Sequence, residues 1–455
     1  MKLHVRGGQK LEGSGTVPPD KSILHRACML AALGEGRCRV APLGAGADNR
    51  STLSVLEALG AEVVIDGDAA TIVGVGGPKG FRAPEGALDC GNSGTTIRLM
   101  SGILAACEGL EVTLDGDASL RRRPMARLRP LEKMGAVLRP ASAETGSSIR
   151  GAAENEVKDP LRPPFTVVGA KLAGTEHVLP MASAQLKSAL LLAGLWAEGP
   201  TTVIEPRTSR DHTERMLAGR GAKLSRDVDA EGRHRVRLEP LERRWRLEEA
   251  EVAPDFSAAT FLLAAAAIGG GEISVRSGTN PTRTGALDAL RGMGLDIEER
   301  DPSDAAGEPI ATLVARPGPK LAGRRIAGEE ALRALDELPM LAGLALFAEG
   351  ETVIADAAEL SAKESDRIAE VVKVLRAFGG EVEARADGMV IRGGAPMHPA
   401  TVDAAHDHRI AMMAAVVAMG ISGTSTITGA EVIGVSFPDF VETFGGLGAE
   451  LTLEP

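Results

Sequence analysis

LAALGEGRCRV (residues 30–40) runs from an Ala/Leu stretch through a glycine-bearing turn into a β-prone stretch. The same order returns in LAACEGLEVTL (104–114), LAGLWAEGPTTVI (192–204), LAAAAIGGGEISV (263–275), LAGLALFAEGETVI (341–354) and AAVVAMGISGTSTI (414–427). Each copy reads as a helix, a C-terminal glycine and a strand, because glycine adopts the left-handed backbone that ends helices. A second series keeps step with the first: a helix, a glycine turn and a short alternating strand, as in VLEALGAEVVID. Its glycines fall at Gly60, Gly135, Gly221, Gly294, Gly379 and Gly448. One glycine after a helix means little, but two phased series at intervals of about 70 to 85 residues mark a structural repeat.

Each repeat thus carries two helices and several strands, an α/β pattern. Six repeats in 455 residues exceed what one core supports and predict two similar domains of three repeats each. The charged stretch LEPLERRWRLEEAEV (238–252), just before Pro254, offers a boundary, and ASAETGSSIRGAAENE (141–156) reads as an exposed polar loop. Aromatic residues are 2% of the chain and tyrosine is absent, so Ala, Leu and Val must build the cores.

Net charge is −11, which argues against a general nucleic-acid or acidic-membrane binder. Cys28, Cys38, Cys90 and Cys107 form no CxxC pair and no disulfide framework. With no signal peptide and no apolar run of membrane length, a soluble protein of a reducing cytosol is expected.

PDKSILHR (19–26), CGNSGTTIR (90–98), MASAQLKS (181–188), PDFSAATF (254–261), LDELPMLA (335–342) and HDHRIAMM (406–413) stand immediately before the first helix of the repeats. Ser, Asp, Asn and Pro there supply N-cap chemistry. Capping does not account for Lys21, Arg26, Arg98, Lys187 and Arg409, cations placed within a turn of a dipole end that already carries positive charge. An anion bound in front of each end does account for them. DASLRRRPM (117–125), IEPRTSRDHTERM (204–216) and ELSAKESDRIAEV (359–371) add further cations, although a charge run alone usually marks a solvated face. His406 and His408 flank Asp407, but carboxylate partners at metal-ligand spacing are not evident, and capping or anion contact is the better reading.

At these motifs the chain resembles the 5-enolpyruvylshikimate-3-phosphate synthases along nearly its whole length. The resemblance rests on DKS with Arg26, GNSGTTIR, RRPM, SAQLK, RDHTE, NPTRTG (280–285), Asp336–Glu337 before Pro339, KESDR, DHR and SFPDF (436–440). SAQ-x-K, RDHTE and NPTR are similar to the class II branch, whereas Pro19 stands where that family normally has glycine.

The resemblance implies an α/β fold of two domains, each with three βαβαββ repeats around a pseudo-threefold axis, and an active site in the interdomain cleft. It implies two chain crossings, giving one domain from residues 1–18 and 251–455 and another from 19–250. The implied reaction adds the 5-hydroxyl of shikimate 3-phosphate to C2 of phosphoenolpyruvate with protonation at C3, then expels phosphate. General acid/base groups and cation clamps suffice, with no metal, organic cofactor or covalent intermediate on the enzyme.

By the same resemblance Lys21, Ser22, Arg26, Ser183, Gln185, Arg210 and Lys363 hold shikimate 3-phosphate. Lys21, Gln185, Arg123, Arg367 and Arg409, with backbone N–H groups around Asn92, Ser93 and Gly94, meet phosphoenolpyruvate. Asp336 accepts the proton of the attacking hydroxyl, Glu364 delivers one to C3, and Lys21 assists. Gly94 occupies the position where glyphosate-insensitive relatives often carry a bulkier residue, so glyphosate inhibition is expected, against the class II features elsewhere. The partners implied are the two small molecules, with no nucleic acid and no membrane, for a monomeric cytoplasmic enzyme.

Two other readings stay open at this point. The related transferase acting on UDP-N-acetylglucosamine shares the fold but usually carries a Cys or Asp acid before its Arg-Pro pair, where this chain has only Asp117 nearby. A silent anion-binding scaffold would not need Asp336 and Glu364, and the acidic net charge disfavours an RNA-processing relative built from similar repeats.

Overall fold

A computed structural model of the chain describes residues 1–44, 46–141 and 161–455. Beyond Ala141, the stretch expected as an exposed polar loop lies outside the described residues. The chain divides into two compact units. The terminal unit comprises Met1–Asp20, Gly44–Gly46 and Ala253–Pro455; the inserted unit comprises Lys21–Leu43 and Ala47–Val252.

Among the described residues there are six four-stranded sheets, three in each unit. All six share one topology: two parallel strands, then two antiparallel neighbours. In the fifth repeat the order is Arg325–Ile326, a short helix Gly328–Arg333, helix Leu338–Ala345, Glu351–Ile354, helix Arg367–Ala377, then Glu381–Arg385 and Gly388–Arg392, which is the expected βαβαββ unit with one short helix added.

Three sheets are completed by strands from far along the chain. Lys2–Gly7 lies between Gly423–Thr428 and Glu450–Glu454 and so fills the last place of the sixth repeat. Its alternating burial places Leu3 and Val5 in the core. Leu11–Gly15 pairs in parallel with Gly270–Gly278, and Glu249–Glu251 with Glu35–Ala41.

The phased glycines Gly60, Gly135, Gly221, Gly294, Gly379 and Gly448 all adopt φ between 83° and 117°, a region that side chains with a Cβ rarely enter. One expected element differs: the segment before Gly135 is a 3-10 helix, Ala126–Met134. Pro130 inside it has no N–H and crowds the preceding turn, which disfavours an α-helix there.

The first helix of every repeat is buried. In the terminal unit Phe256–Gly269, Leu338–Ala345 and His408–Met419 pack on one another and are apolar nearly all round. In the inserted unit Gly94–Ala105 packs on both Lys21–Leu33 and Ala184–Gly194. Small residues let these helices come close: a Cβ at Gly102 would stand 2.2 Å from the Ala189 carbonyl oxygen. The four cysteines are buried and unpaired, and burial raises each thiol pKa, to about 12 for Cys28 and Cys107. No helix among the described residues is long and apolar enough to cross a membrane.

Candidate active site

Within the terminal unit the N-terminal ends of the three buried helices come together. Asp255 caps the first, its Oδ1 accepting from the Ser257 N–H at 2.8 Å. Asp407 caps the third, Oδ1 accepting from the Arg409 N–H at 2.9 Å. Such caps are worth about 1 kcal/mol each. The second helix, beginning at Leu338, departs from the expected pattern because no side chain caps it. Asp336 and Glu337 sit just before it, and both turn toward cations instead.

Four cations surround the Asp336 carboxylate: Arg367 Nη1 at 3.4 Å, Arg283 Nη1 at 3.7 Å, Lys363 Nζ at 3.8 Å and Arg409 Nη2 at 3.9 Å. Arg367 is 1% exposed and is itself shared among three carboxylates. Its Nε donates to Asp407 at 2.8 Å and its Nη2 to Glu364 at 2.5 Å, in addition to the contact with Asp336. Burial works against ionised Asp407, but Arg367 outweighs it and holds that carboxyl below the usual range. Lys363 also pairs with Glu359 at 2.9 Å.

A carboxyl that delivers a proton near neutral pH, the role the resemblance implies for Glu364, needs a raised pKa. Burial does push it up, yet Arg367 and His408 prevail, and the carboxyl is held below its ordinary value. His408 is driven down to about 4 by burial first and then by Arg409, so it is neutral near pH 7.

In the inserted unit the arrangement is of another kind. Ser93 caps Gly94–Ala105 and Ser183 caps Ala184–Gly194, the side chains accepting from the N–H groups of Thr96 and Leu186. Arg98 Nη1 donates to Gln185 Oε1 at 2.8 Å and to the Gly94 carbonyl at 3.3 Å, and Gln185 Nε2 donates to Thr95 Oγ1 at 3.2 Å. Burial, then the charges of Arg123 and Arg127, lower the Arg98 pKa to about 10. Arg123 is held through the backbone carbonyl and side-chain oxygen of Asn92 and through Ser119 Oγ. Gly94 lies beneath both arginines: a Cβ there would stand 2.6 Å from Arg98 Nη1 and 3.3 Å from Arg123 Nη1.

Arg26 is buried, its guanidinium donating to Thr213 Oγ1, Ser188 Oγ and the Ser22 carbonyl at 2.8 to 2.9 Å. Lys21 opens the helix Lys21–Leu33 and is half-buried, as are Ser22 and Arg210.

Lys187 requires a correction. Its position near a helix start suggested an anion contact, but the side chain is 2% exposed and lies between Glu205 at 2.8 Å and Glu214 at 2.9 Å. Burial would lower its pKa, yet the two carboxylates raise it. Glu205 also accepts from the Ser183 N–H at 2.8 Å and from Ser209 Oγ. The triad thus supports the start of the helix that carries Lys187, Ala184–Gly194, from inside the core.

Sequence reasoning singled out neither Arg283 nor Glu205 and Glu214, and it saw Asp407 only as a cap between two histidines. The local signal for Arg283 was the motif NPTRTG, which carries no hint of its partners. Among the described residues no group of His, Cys, Asp and Glu is arranged to hold a metal ion.

Comparison with known proteins finds relatives along nearly the whole chain. Residues 5–444 match the family model for EPSP synthase (3-phosphoshikimate 1-carboxyvinyltransferase). A 3-phosphoshikimate 1-carboxyvinyltransferase of Synechococcus sp. (strain RCC307) is 45% identical over 96% of this chain and 97% of its own length. That of Syntrophotalea carbinolica is 44% identical over 97% and 98% respectively. Among solved structures, EPSP synthase from Acinetobacter baumannii superposes with a TM-score of 0.86 at 36% identity, over 99% of this chain and all of its own. The chain therefore belongs to the EPSP synthase family.

Proposed function

We propose that this chain transfers the carboxyvinyl group of phosphoenolpyruvate to the 5-hydroxyl of shikimate 3-phosphate, with Asp336 as the base that receives the hydroxyl proton. The observation that carries the assignment is the ring of Arg283, Arg367, Lys363 and Arg409 around that one carboxylate. Opposite charges within about 4 Å keep a carboxylate ionised. When substrate anions engage Lys363, Arg367 and Arg409, they offset the field of those cations and raise the proton affinity of Asp336.

The hydroxyl oxygen then bonds to C2 while C3 takes a proton, giving a tetrahedral adduct. Cleavage of the C2–phosphate oxygen bond releases phosphate, and loss of a proton from the C3 methyl restores the double bond. Glu364 is proposed as the group exchanging the C3 proton. Its ion pair with Arg367 opposes protonation, so the role requires a substrate anion to take Arg367 and leave Glu364 less strongly held.

Arg123, Arg367 and Arg409 suit the phosphate and carboxylate of phosphoenolpyruvate, since a guanidinium fork matches such groups with two hydrogen bonds. Lys21, Gln185 and the backbone at Gly94 assist them. Ser22, Arg26, Ser183, Gln185, Arg210 and Lys363 are assigned to shikimate 3-phosphate, with Lys21 also in reach. For Arg26 this requires exchanging one of its neutral partners for the ligand.

Action as a monomer in the cytosol, without nucleic acid, completes the proposal. It is supported by six sheets, each completed within the chain among the described residues, four unpaired cysteines and a net charge of −11. The test is phosphate release from phosphoenolpyruvate with shikimate 3-phosphate and, in parallel, with UDP-N-acetylglucosamine. Release with the first acceptor alone is expected; release with only the second would overturn the assignment.

A further inference from the structure

We propose that Arg283 is a positioning residue for the reaction, fixing the orientation and ionisation of Asp336 from behind; this rests on the assignment of Asp336 as the base. Arg283 is 4% exposed and its guanidinium is divided among four carboxylates. Nη1 faces Glu337 at 3.4 Å and Asp336 at 3.7 Å, Nη2 faces Asp255 at 3.2 Å, and Nε faces Asp20 at 3.5 Å. Nη2 also donates to Ser257 Oγ at 2.6 Å, and Ser257 donates in turn to Glu337.

The motif NPTRTG accounts for how this guanidinium is held. Asn280 Oδ1 accepts from both the N–H and the hydroxyl of Thr282, at 2.9 and 2.8 Å, and Asn280 Nδ2 donates to buried Glu308 at 2.9 Å. The Arg283 N–H then donates to the Asn280 carbonyl, so the arginine leaves a turn pinned at both ends. Its fork has a defined direction before any ligand arrives.

Stability alone does not account for the cluster. A buried ion pair is often replaceable by apolar side chains without loss, so four carboxylates gathered at one guanidinium are not explained by pairing energy. The cost shows at Asp255, whose pKa burial and then the neighbouring Asp20 push up to about 6. Such an arrangement has a use where one of the four must be held at a set angle and charge for chemistry. Asp336 is the member that also faces Lys363, Arg367 and Arg409. Asp20 directly precedes Lys21, and its backbone N–H donates to the Ala253 carbonyl while Asp255 donates to Pro18. The same guanidinium therefore also anchors both peptides where the chain passes between units.

The experiment compares wild type with Arg283→Lys, with Arg283→Gln/Asp255→Asn and with Asp336→Asn. The double variant removes one charge of each sign, so it tests the role without leaving an extra uncompensated carboxylate. For each, kcat, KM, the pH profile of kcat and the melting temperature are measured. Both Arg283 variants are expected to lower kcat about tenfold or more with little change in KM. The acid limb of the double variant should move up by roughly one pH unit, because Asp336 loses a cation that favours its ionised form, and that of Arg283→Lys by less, because lysine keeps the charge. Lysine should retain more activity than the double variant. A wild-type kcat and acid limb in both, whatever the melting temperature, would overturn the proposal. Unimpaired turnover by Asp336→Asn would instead remove the base assignment on which it stands.

Discussion

In the terminal unit Arg367 meets Asp336, Glu364 and Asp407. In the inserted unit Arg98 meets the Gln185 side-chain oxygen and the Gly94 carbonyl, and Arg123 meets Asn92 and Ser119. Both sets lie at the ends of three buried helices, yet one is matched by carboxylates and the other by neutral oxygens. A guanidinium surrounded by carboxylates spends its field on them and fixes their ionisation; one held by neutral oxygens keeps its charge for an incoming anion. The inserted unit has buried carboxylates too, but Glu205 and Glu214 lie behind the helix ends with Lys187. The same repeat thus yields a set suited to proton transfer in one unit and a set suited to anion capture in the other.

The largest effect expected from breaking this contrast lies in the terminal unit. Asp336→Asn should lower kcat by about 10²- to 10⁴-fold, the range for a general base, while phosphoenolpyruvate binding measured by titration persists. A loss confined to binding would mean that the carboxylate serves only to position cations. Next comes the buried triad of the inserted unit. Lys187→Met leaves Glu205 and Glu214 together without their cation, and unfolding in urea should show about 3–5 kcal/mol less stability. A change within about 1 kcal/mol would show that the triad carries no net charge strain when its cation is removed.

That triad also marks the limit of what could be read beforehand. The repeat was legible because its signal is local: Gly60 and its five counterparts stand where a chain must adopt positive φ. The helix caps at Ser93, Ser183, Asp255 and Asp407 were legible for the same reason. Lys187 was misread because the dipole argument takes account of position along a helix and not of carboxylates on other elements. Arg283 and Asp407 acquired their partners only through folding, since Asp20, Asp255 and Glu337 lie far apart in sequence. The completion of the sixth sheet by Lys2–Gly7 likewise has no local sign. Charge compensation between repeats is a long-range property, and it is what separates the two helix-end clusters.

A smaller effect should follow from sharpening the contrast within the inserted unit. Gly94→Ala would bring a methyl group to 2.6 Å from Arg98 Nη1, so that guanidinium must move and take its bond to Gln185 with it. The Michaelis constant for phosphoenolpyruvate should rise by about tenfold with a smaller change in kcat, as expected when binding common to ground and transition states is lost. An unchanged constant would show that Arg98 and Arg123 reach their anion from another direction.

The smallest effect concerns acid stability, and its sign differs between units. His177 in the inserted unit is lowered to about 4 by burial and then by Lys133, and His408 in the terminal unit is lowered to about 4 by burial and then by Arg409. A histidine depressed in the folded state contributes stability that is complete above its unfolded value near 6.5 and is lost as pH falls toward 4. Asp255 works in the opposite sense: its folded value of about 6 exceeds the ordinary aspartate value of 3.8, so the folded form binds the extra proton and gains stability as pH falls through that window. The terminal unit therefore has an internal offset to its histidine, whereas the offset does not act on His177. Hydrogen exchange of the buried helices at pH 6.5 and near pH 5 should show protection falling by roughly 1 kcal/mol per pH unit in Ala184–Gly194, and by less in Phe256–Gly269. Asp255→Asn should shrink the difference, because a side chain that cannot titrate leaves His408 opposed only by Glu330, whose pKa burial also raises. Equal loss in both helices of the wild type would place the proton elsewhere in the Arg283 cluster and remove Asp255 from the contrast.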